Sequence, residues 1–141
     1  MGRTIIQHGT VVTASDTFAA DVWIDRGKIV ALAESGTVPG PDDVAIDARG
    51  KYVIPGGIDC HTHMDMPFGG TSSSDDFESG TIAAAHGGTT TIIDFAIQTK
   101  GQAMRAGLDT WHAKAQGKAA IDYGFHMIMT EANPQTLDEM S

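Results

Sequence analysis

Two histidines one residue apart, His61 and His63, stand in the stretch GGIDCHTHMDMPFGG, residues 56–70, between two glycine pairs. On an extended strand, side chains two positions apart share a face. Asp59, His61 and His63 are therefore expected to point one way, and Ile58, Cys60 and Thr62 the other. The strand rise puts the two histidine Cα atoms about 6.6 Å apart, close enough for both imidazoles to converge on one cation. Neutral imidazole suits zinc and similar divalent ions. A bare HxH pair is more often a pair of ordinary surface or core histidines than a metal site. The strand context, the carboxylate of Asp59 and the loop that follows at once tip the reading to metal ligands. Cys60, facing away, reads as a buried packing thiol.

The elements that must position the pair follow a two-part rhythm. Up to about residue 54 the chain reads as short β-branched strands: TIIQHG, TVVTA, ADVWID, KIVALAE, DVAID and KYVI. Asp25-Arg26-Gly27 is a hairpin signal, and ESGTVPGPDD is a loop. After residue 55 strands alternate with helices. GGIDCHTH is a first strand, and SDDFESGTIAAAHGG a helix with a capping box expected from Asp75 and Glu78. GTTTIIDFA is a second strand. Ala103 to Gln116 is a helix whose Met104, Leu108, Trp111 and Ala115 make one buried face. AIDYGFHMIMT is a third strand, and EANPQTLDEMS opens another loop or helix. Such alternation predicts βαβ units around a parallel sheet, where functional groups gather at the C-terminal strand ends. His61 and His63 end their strand, just before MDMPFGG.

Composition narrows the partners. The 141 residues carry nine Lys and Arg against eighteen Asp and Glu, a net charge of −9. Nucleic acid, which needs clustered cations, and an anionic membrane surface are both disfavoured. An apolar content of 41% with 19% charge is that of a globular chain. Cys60 is the only cysteine, so no disulfide forms within the chain; with no secretory pattern and no apolar run of about 20 residues, a cytoplasmic protein is expected.

IPGGIDCHTHMDMPFGG resembles the GxDxHxH first-strand signature of the amidohydrolase superfamily. The wider match, through DDFESGTIAAAHGGTTTIIDFA and DTWHAKAQGKAAIDYGFH, resembles the D-hydantoinases and dihydropyrimidinases and covers essentially the whole chain. The resemblance implies an α/β fold, the N-terminal part of a metal-dependent (β/α)8 (TIM) barrel preceded by a small β-sandwich sheet. Residues 1–54 would be the sandwich portion, and 55–141 the first three βα units of an incomplete barrel. It implies two divalent metals, usually zinc, per complete site, with His61 and His63 on the more buried one. The bridging carboxylated lysine, two further histidines and an aspartate would lie beyond Ser141, leaving no catalytic residue within the chain itself. The substrate would be a small cyclic ureide or cyclic amide, opened to an N-carbamoyl amino acid, and the complete enzyme a homo-oligomer, tetramer or dimer. Dihydroorotases of the superfamily carry arginine where this chain has Asp65, so they fit poorly. Non-catalytic dihydropyrimidinase-like proteins have lost metal ligands that are present here.

Other residues divide between site and scaffold. Asp59 and Asp94 are candidates to support the ligand imidazoles, or else turn-forming carboxylates. Met66 and Phe68 are candidates for the substrate pocket wall, or else loop packing. His126, late in the third strand, could face the site but reads more readily as a core histidine; His86 reads as a helix-end residue, and His8 and His112 as solvent-facing. A closed barrel takes about 250 residues. The chain is therefore expected to be the N-terminal piece of a longer enzyme, inactive and loosely folded or self-associated alone. The alternative is a truncated, non-catalytic chain acting only through assembly with other subunits.

Overall fold

The computed structural model describes residues 2–140. It divides into two compact units, Met1–Pro55 and Gly56–Ser141.

The first unit is a five-stranded sheet. β1 (Thr4–Val12) pairs antiparallel with β2 (Thr17–Asp25), and β2 with β3 (Lys28–Ala33). β4 (Val44–Asp47) and β5 (Tyr52–Val53) add parallel to β1. The expected hairpin is present, with Arg26 and Gly27 both at positive φ, 47° and 75°. That is the mirror-image turn whose twist matches two antiparallel strands.

The two strands expected from TIIQHG and TVVTA are one. The break in their pattern is a register shift between Ile6 and Gly9, with His8 at φ 62°. Asp21, fully buried on β2, makes this possible. Its carboxylate accepts the His8 N–H, the Gly36 and Thr37 N–H groups and the Thr37 hydroxyl, each at 2.9 Å. Burial alone would raise the pKa of Asp21, but these four donors outweigh it and hold the value at about 2. The inserted residue switches the parity of β1, so Ile6 before it and Val11 after it both join the core of Val11, Ala20 and Val22. Across the same face runs a row of Leu32, Val22, Ile6 and Ile46. Its ends stay half exposed, Leu32 at 50% and Ile46 at 48%.

The second unit carries the βα alternation. β6 (Gly57–Thr62), β9 (Thr89–Ile97) and β10 (Asp122–Ile128) form a parallel sheet in the order β10-β9-β6. Between β6 and β9 lie a small hairpin, β7 (Pro67–Phe68) and β8 (Thr71–Ser72), and then α1 (Phe77–His86). α2 (Met104–Ala115) joins β9 to β10, and the short α3 (Pro134–Asp138) follows. Phe77 of α1, Ile92 and Ala96 of β9, and Trp111 and Ala115 of α2 form one core, so both helices cover the same face of the sheet. Gly107 lets α2 come close: a Cβ there would sit 2.6 Å from the Ile97 carbonyl oxygen.

The cap of α1 lies one residue beyond the expected position. Asp76, in extended backbone, accepts the Glu78 and Ser79 N–H groups, and Ser79 accepts the Asp76 N–H in return. These donors, Ser79 N–H foremost, hold the Asp76 pKa below the usual carboxylate value. Asp75 instead accepts the Ser79 hydroxyl. None of the helices is long and apolar enough to cross a membrane, among the described residues.

Candidate metal centre

His61 lies at the end of β6 and His63 just past it, both exposed. Their ring centroids are 5.0 Å apart, with planes at 86°. An imidazole centroid lies about 3.2 Å from a zinc bound at its nitrogen, given a Zn–N bond of about 2.0–2.1 Å. Two such rings on one tetrahedral ion therefore have centroids about 5 Å apart. The pair fits a shared divalent cation. Among the described residues, no cluster of three or more His, Cys, Asp or Glu could hold a metal.

Strict alternation does not hold along β6. Asp59 pairs with Ile92 and Thr62 with Asp94, three steps against two. The carboxylate of Asp59 accepts the backbone N–H of His61 at 3.1 Å, a local turn-type contact. Cys60, expected buried, is exposed, because β6 is an edge strand of this sheet and is exposed at every residue but Thr62.

Asp94 is on the opposite face from the imidazoles. Ile92, Asp94 and Ala96 alternate into the helix-covered core, and Asp94 is fully buried there. One oxygen accepts the Thr62 hydroxyl at 2.8 Å and the Met64 N–H at 2.7 Å; the other accepts the Trp111 indole N–H at 3.0 Å. The residues on either side of His63 are thus fastened to one carboxylate. Lys114 of α2 adds a second tie, donating to the Asp65 carbonyl at 2.6 Å and lying over the Trp111 ring at 4.2 Å. Asp65, at φ 48°, turns its carboxylate to 3.9 Å from the same ammonium.

The loop beyond folds back as the β7–β8 hairpin, with Gly69 and Gly70 at φ 58° and 84° supplying its turn. Met66 and Phe68, with His63, Thr71, Ser72 and Ser73, line a recess of about 410 Å³. Phe68 is 78% exposed, so it is not filling a core within this unit. A slightly larger recess, about 450 Å³, lies among Met104, Arg105, Leu108, Met127, Glu139 and Met140. It has no imidazole or thiol in its wall, and its one carboxylate, Glu139, is engaged by the Met104 N–H at 2.7 Å. The recess beside His63 is the one that adjoins the imidazole pair.

Two further residues lie on the imidazole face, and the sequence reading left out the first and favoured the core for the second. Phe95, next to Asp94 and so on the other side of β9, has its ring centroid 4.5 Å from that of His61 and 5.3 Å from that of His63. His126, expected in the core, is exposed; it pairs with Phe95 across β9 and β10, with centroids 5.0 Å apart. Two-residue alternation from the apolar Ile92 and Ala96 is the signal that finds Phe95. Tyr123, Phe125 and Met127 pack toward the core, which leaves His126 on the far face. His86 ends α1, and His112 is exposed on α2 with its ring against Phe125 at 4.9 Å.

Comparison with known proteins gives the family and the fold. The amidohydrolase family model matches residues 52–139. A D-hydantoinase of Streptomyces coelicolor is 61% identical over 98% of the chain, and dihydropyrimidinase 2 of Caenorhabditis briggsae is 45% identical over 96%. A crystal structure of D-hydantoinase matches 98% of the chain with a TM-score of 0.93 at 53% identity. The dihydropyrimidinase structure from Brevibacillus agri NCHU1002 matches 98% with 0.91 at 54%. The chain spans 30% of the length of each of these except the Caenorhabditis protein, of which it spans 26%. With a family model covering both histidines, their strand and the two βα units after it, the chain belongs to the amidohydrolase family, and its fold is that of the N-terminal part of the hydantoinases.

Proposed function

We propose that His61 and His63 are two ligands of a divalent metal in a cyclic amide hydrolase that opens hydantoin or dihydropyrimidine rings to N-carbamoyl amino acids. The observation that carries this reading is the imidazole pair, 5.0 Å apart at a strand end beside an apolar recess. When bound, a divalent ion makes water a usable nucleophile near neutral pH and polarises an amide carbonyl. The chain's own residues would do the rest of the work on this side. His61 and His63 offer neutral nitrogens. Asp94 holds Thr62 and Met64, and so the backbone on either side of His63, in place from the helix face. Met66 and Phe68 present the apolar wall against which a ring substituent packs. Asp59 supports the pair through the His61 backbone.

The remaining groups of a two-zinc site, including a bridging carboxylated lysine, belong outside these 141 residues in this reading. Residues 55–141 would be the first three βα units of a barrel and residues 1–54 one sheet of a sandwich. The half-exposed row ending in Leu32 and Ile46 supports the second assignment, since a sandwich sheet buries its apolar face on a partner sheet. The complete enzyme would be a cytoplasmic homo-oligomer, acting on a small cyclic ureide, and this chain alone inactive. The net charge of −9 supports a partner that is neither nucleic acid nor membrane.

The test is metal analysis and turnover together. The chain, equilibrated with zinc and gel-filtered, is expected to retain the metal weakly and His61→Ala with His63→Ala to retain none. Neither should hydrolyse hydantoin or dihydrouracil. Zinc retention unchanged in the double variant would overturn the ligand assignment, and turnover by the chain alone would overturn its dependence on further residues.

A further inference from the structure

The polar contacts around the histidine pair stop short of the imidazoles: Asp59 accepts the His61 N–H, and Asp94 the Thr62 hydroxyl and the Met64 N–H. The imidazoles themselves are touched by rings. Phe95 lies against both, with interplanar angles of 45° and 41°, and the pair meets edge to face at 86°. His126 packs on Phe95 from β10, at 5.0 Å and 45°, directly opposite it in the strand register.

A metal ligand binds well only when its lone pair is aimed at the ion. Imidazoles are usually aimed by a hydrogen bond at the second ring nitrogen, and losing that outer contact weakens binding about 10–100-fold. Here the aiming contact is a ring. We propose that Phe95 is the positioning residue of the pair, a half-buried aromatic plate on β9 that sets the ring planes of His61 and His63, with His126 bracing it from β10. The three contacts of Phe95 are tilted, at 41–45° and 4.5–5.3 Å, within the centroid range over which aromatic rings attract. They restrict the second torsion of each histidine, which a flexible aliphatic chain does not. Because Asp94 is adjacent and points the other way, β9 would fix the site twice: the backbone around His63 from the helix face, the ring planes from the exposed face.

The inference rests on the metal reading for one of its two readouts only. In the 141-residue chain without metal, proton NMR of the His61 and His63 rings should show the upfield shift that a neighbouring aromatic face produces. Phe95→Leu should abolish that shift in both, and Phe95→Tyr should keep it. Phe95→Met, an apolar side chain without a ring, should behave as Phe95→Leu and serves if the leucine variant does not fold. In a Co²⁺ titration followed by visible absorption, Phe95→Leu should weaken binding about tenfold or more and alter the ligand-field bands, with Phe95→Tyr close to wild type. Ring shifts and Co²⁺ spectra unchanged in both ring-less variants would overturn the proposal. Loss of the ring shift in a chain that takes up no Co²⁺ would uphold Phe95 as the ring-positioning residue and show that the two histidines alone do not hold a metal.

Discussion

At the scale of single residues, the two carboxylates Asp94 and Asp21 organise more of the molecule than their neighbours suggest. Asp94, itself fully buried, accepts from a hydroxyl, a backbone N–H and an indole N–H. Asp94→Asn replaces one acceptor oxygen with a donor and sets it against those donors. Leaving a buried donor without an acceptor costs about 1–3 kcal/mol, and hydrogen bonds to a charged group lie at the upper end. Urea unfolding should therefore show a loss of about 2–3 kcal/mol. Asp21 gives a pH signature instead. Its folded pKa of about 2 lies below the ordinary 3.8. Its contribution to stability is then complete above about pH 4 and is lost as the pH falls toward 2. Denaturation midpoints measured down that range should drop in wild type, and much less in Asp21→Asn. The histidine pair could be read from sequence because both members sit on one short stretch. The face of Asp94 and the part played by Phe95 could not be read from GxDxHxH. They depend on which side of β9 the helices cover, a fact set by residues such as Phe77 and Trp111 far along the chain.

At the scale of elements, the strands and helices follow local chemistry closely, while their irregularities do not. α2 runs from Met104 to Ala115 with Met104, Trp111 and Ala115 buried, as its spacing predicts, and its close approach to β9 adds Gly107 to that face. A single methyl tests the approach. Alanine is the better helix former by about 1 kcal/mol. A Cβ at 2.6 Å from a backbone oxygen, however, forces the helix or the strand end to move, and overpacking costs about 1–3 kcal/mol. Gly107→Ala should therefore be destabilising in net, with a lower melting temperature followed by far-UV circular dichroism. The cap of α1 at Asp76 rather than Asp75 shows the same limit: with two adjacent aspartates, either can cap, and the backbone at Asp76 decides. The small hairpin β7–β8 inside the loop was not evident, because two-residue strands leave no periodicity to read.

At the scale of the whole molecule, what stands out is apolar surface and sheet edge left open to solvent among the described residues. The sheet order leaves β6 and β10 at the edges of one unit, and the first unit's sheet shows half-exposed Leu32 and Ile46 on its apolar face. Unpaired edges and apolar rows invite association. Sedimentation velocity at micromolar concentrations should find oligomers, and the pair Leu32→Lys with Ile46→Glu should shift the chain toward monomer. The alternation of strands and helices was readable from residue 55 onward because each element carries its own pattern and stop signals. The expectation of association rests on exposed edges and apolar rows that only the folded sheets display. The bulge at His8 has a consequence for how this chain tolerates change in length. It places three steps of β1 against two of β2. Removing one residue there would restore regular pairing and still leave Ile6 and the displaced Val11 on the core side. The same removal elsewhere in β1 or β2 would turn the following side chains to the wrong face. In β1, then, the irregular position is one where a residue can be lost with the hydrophobic pattern intact, at the cost of one amide on Asp21.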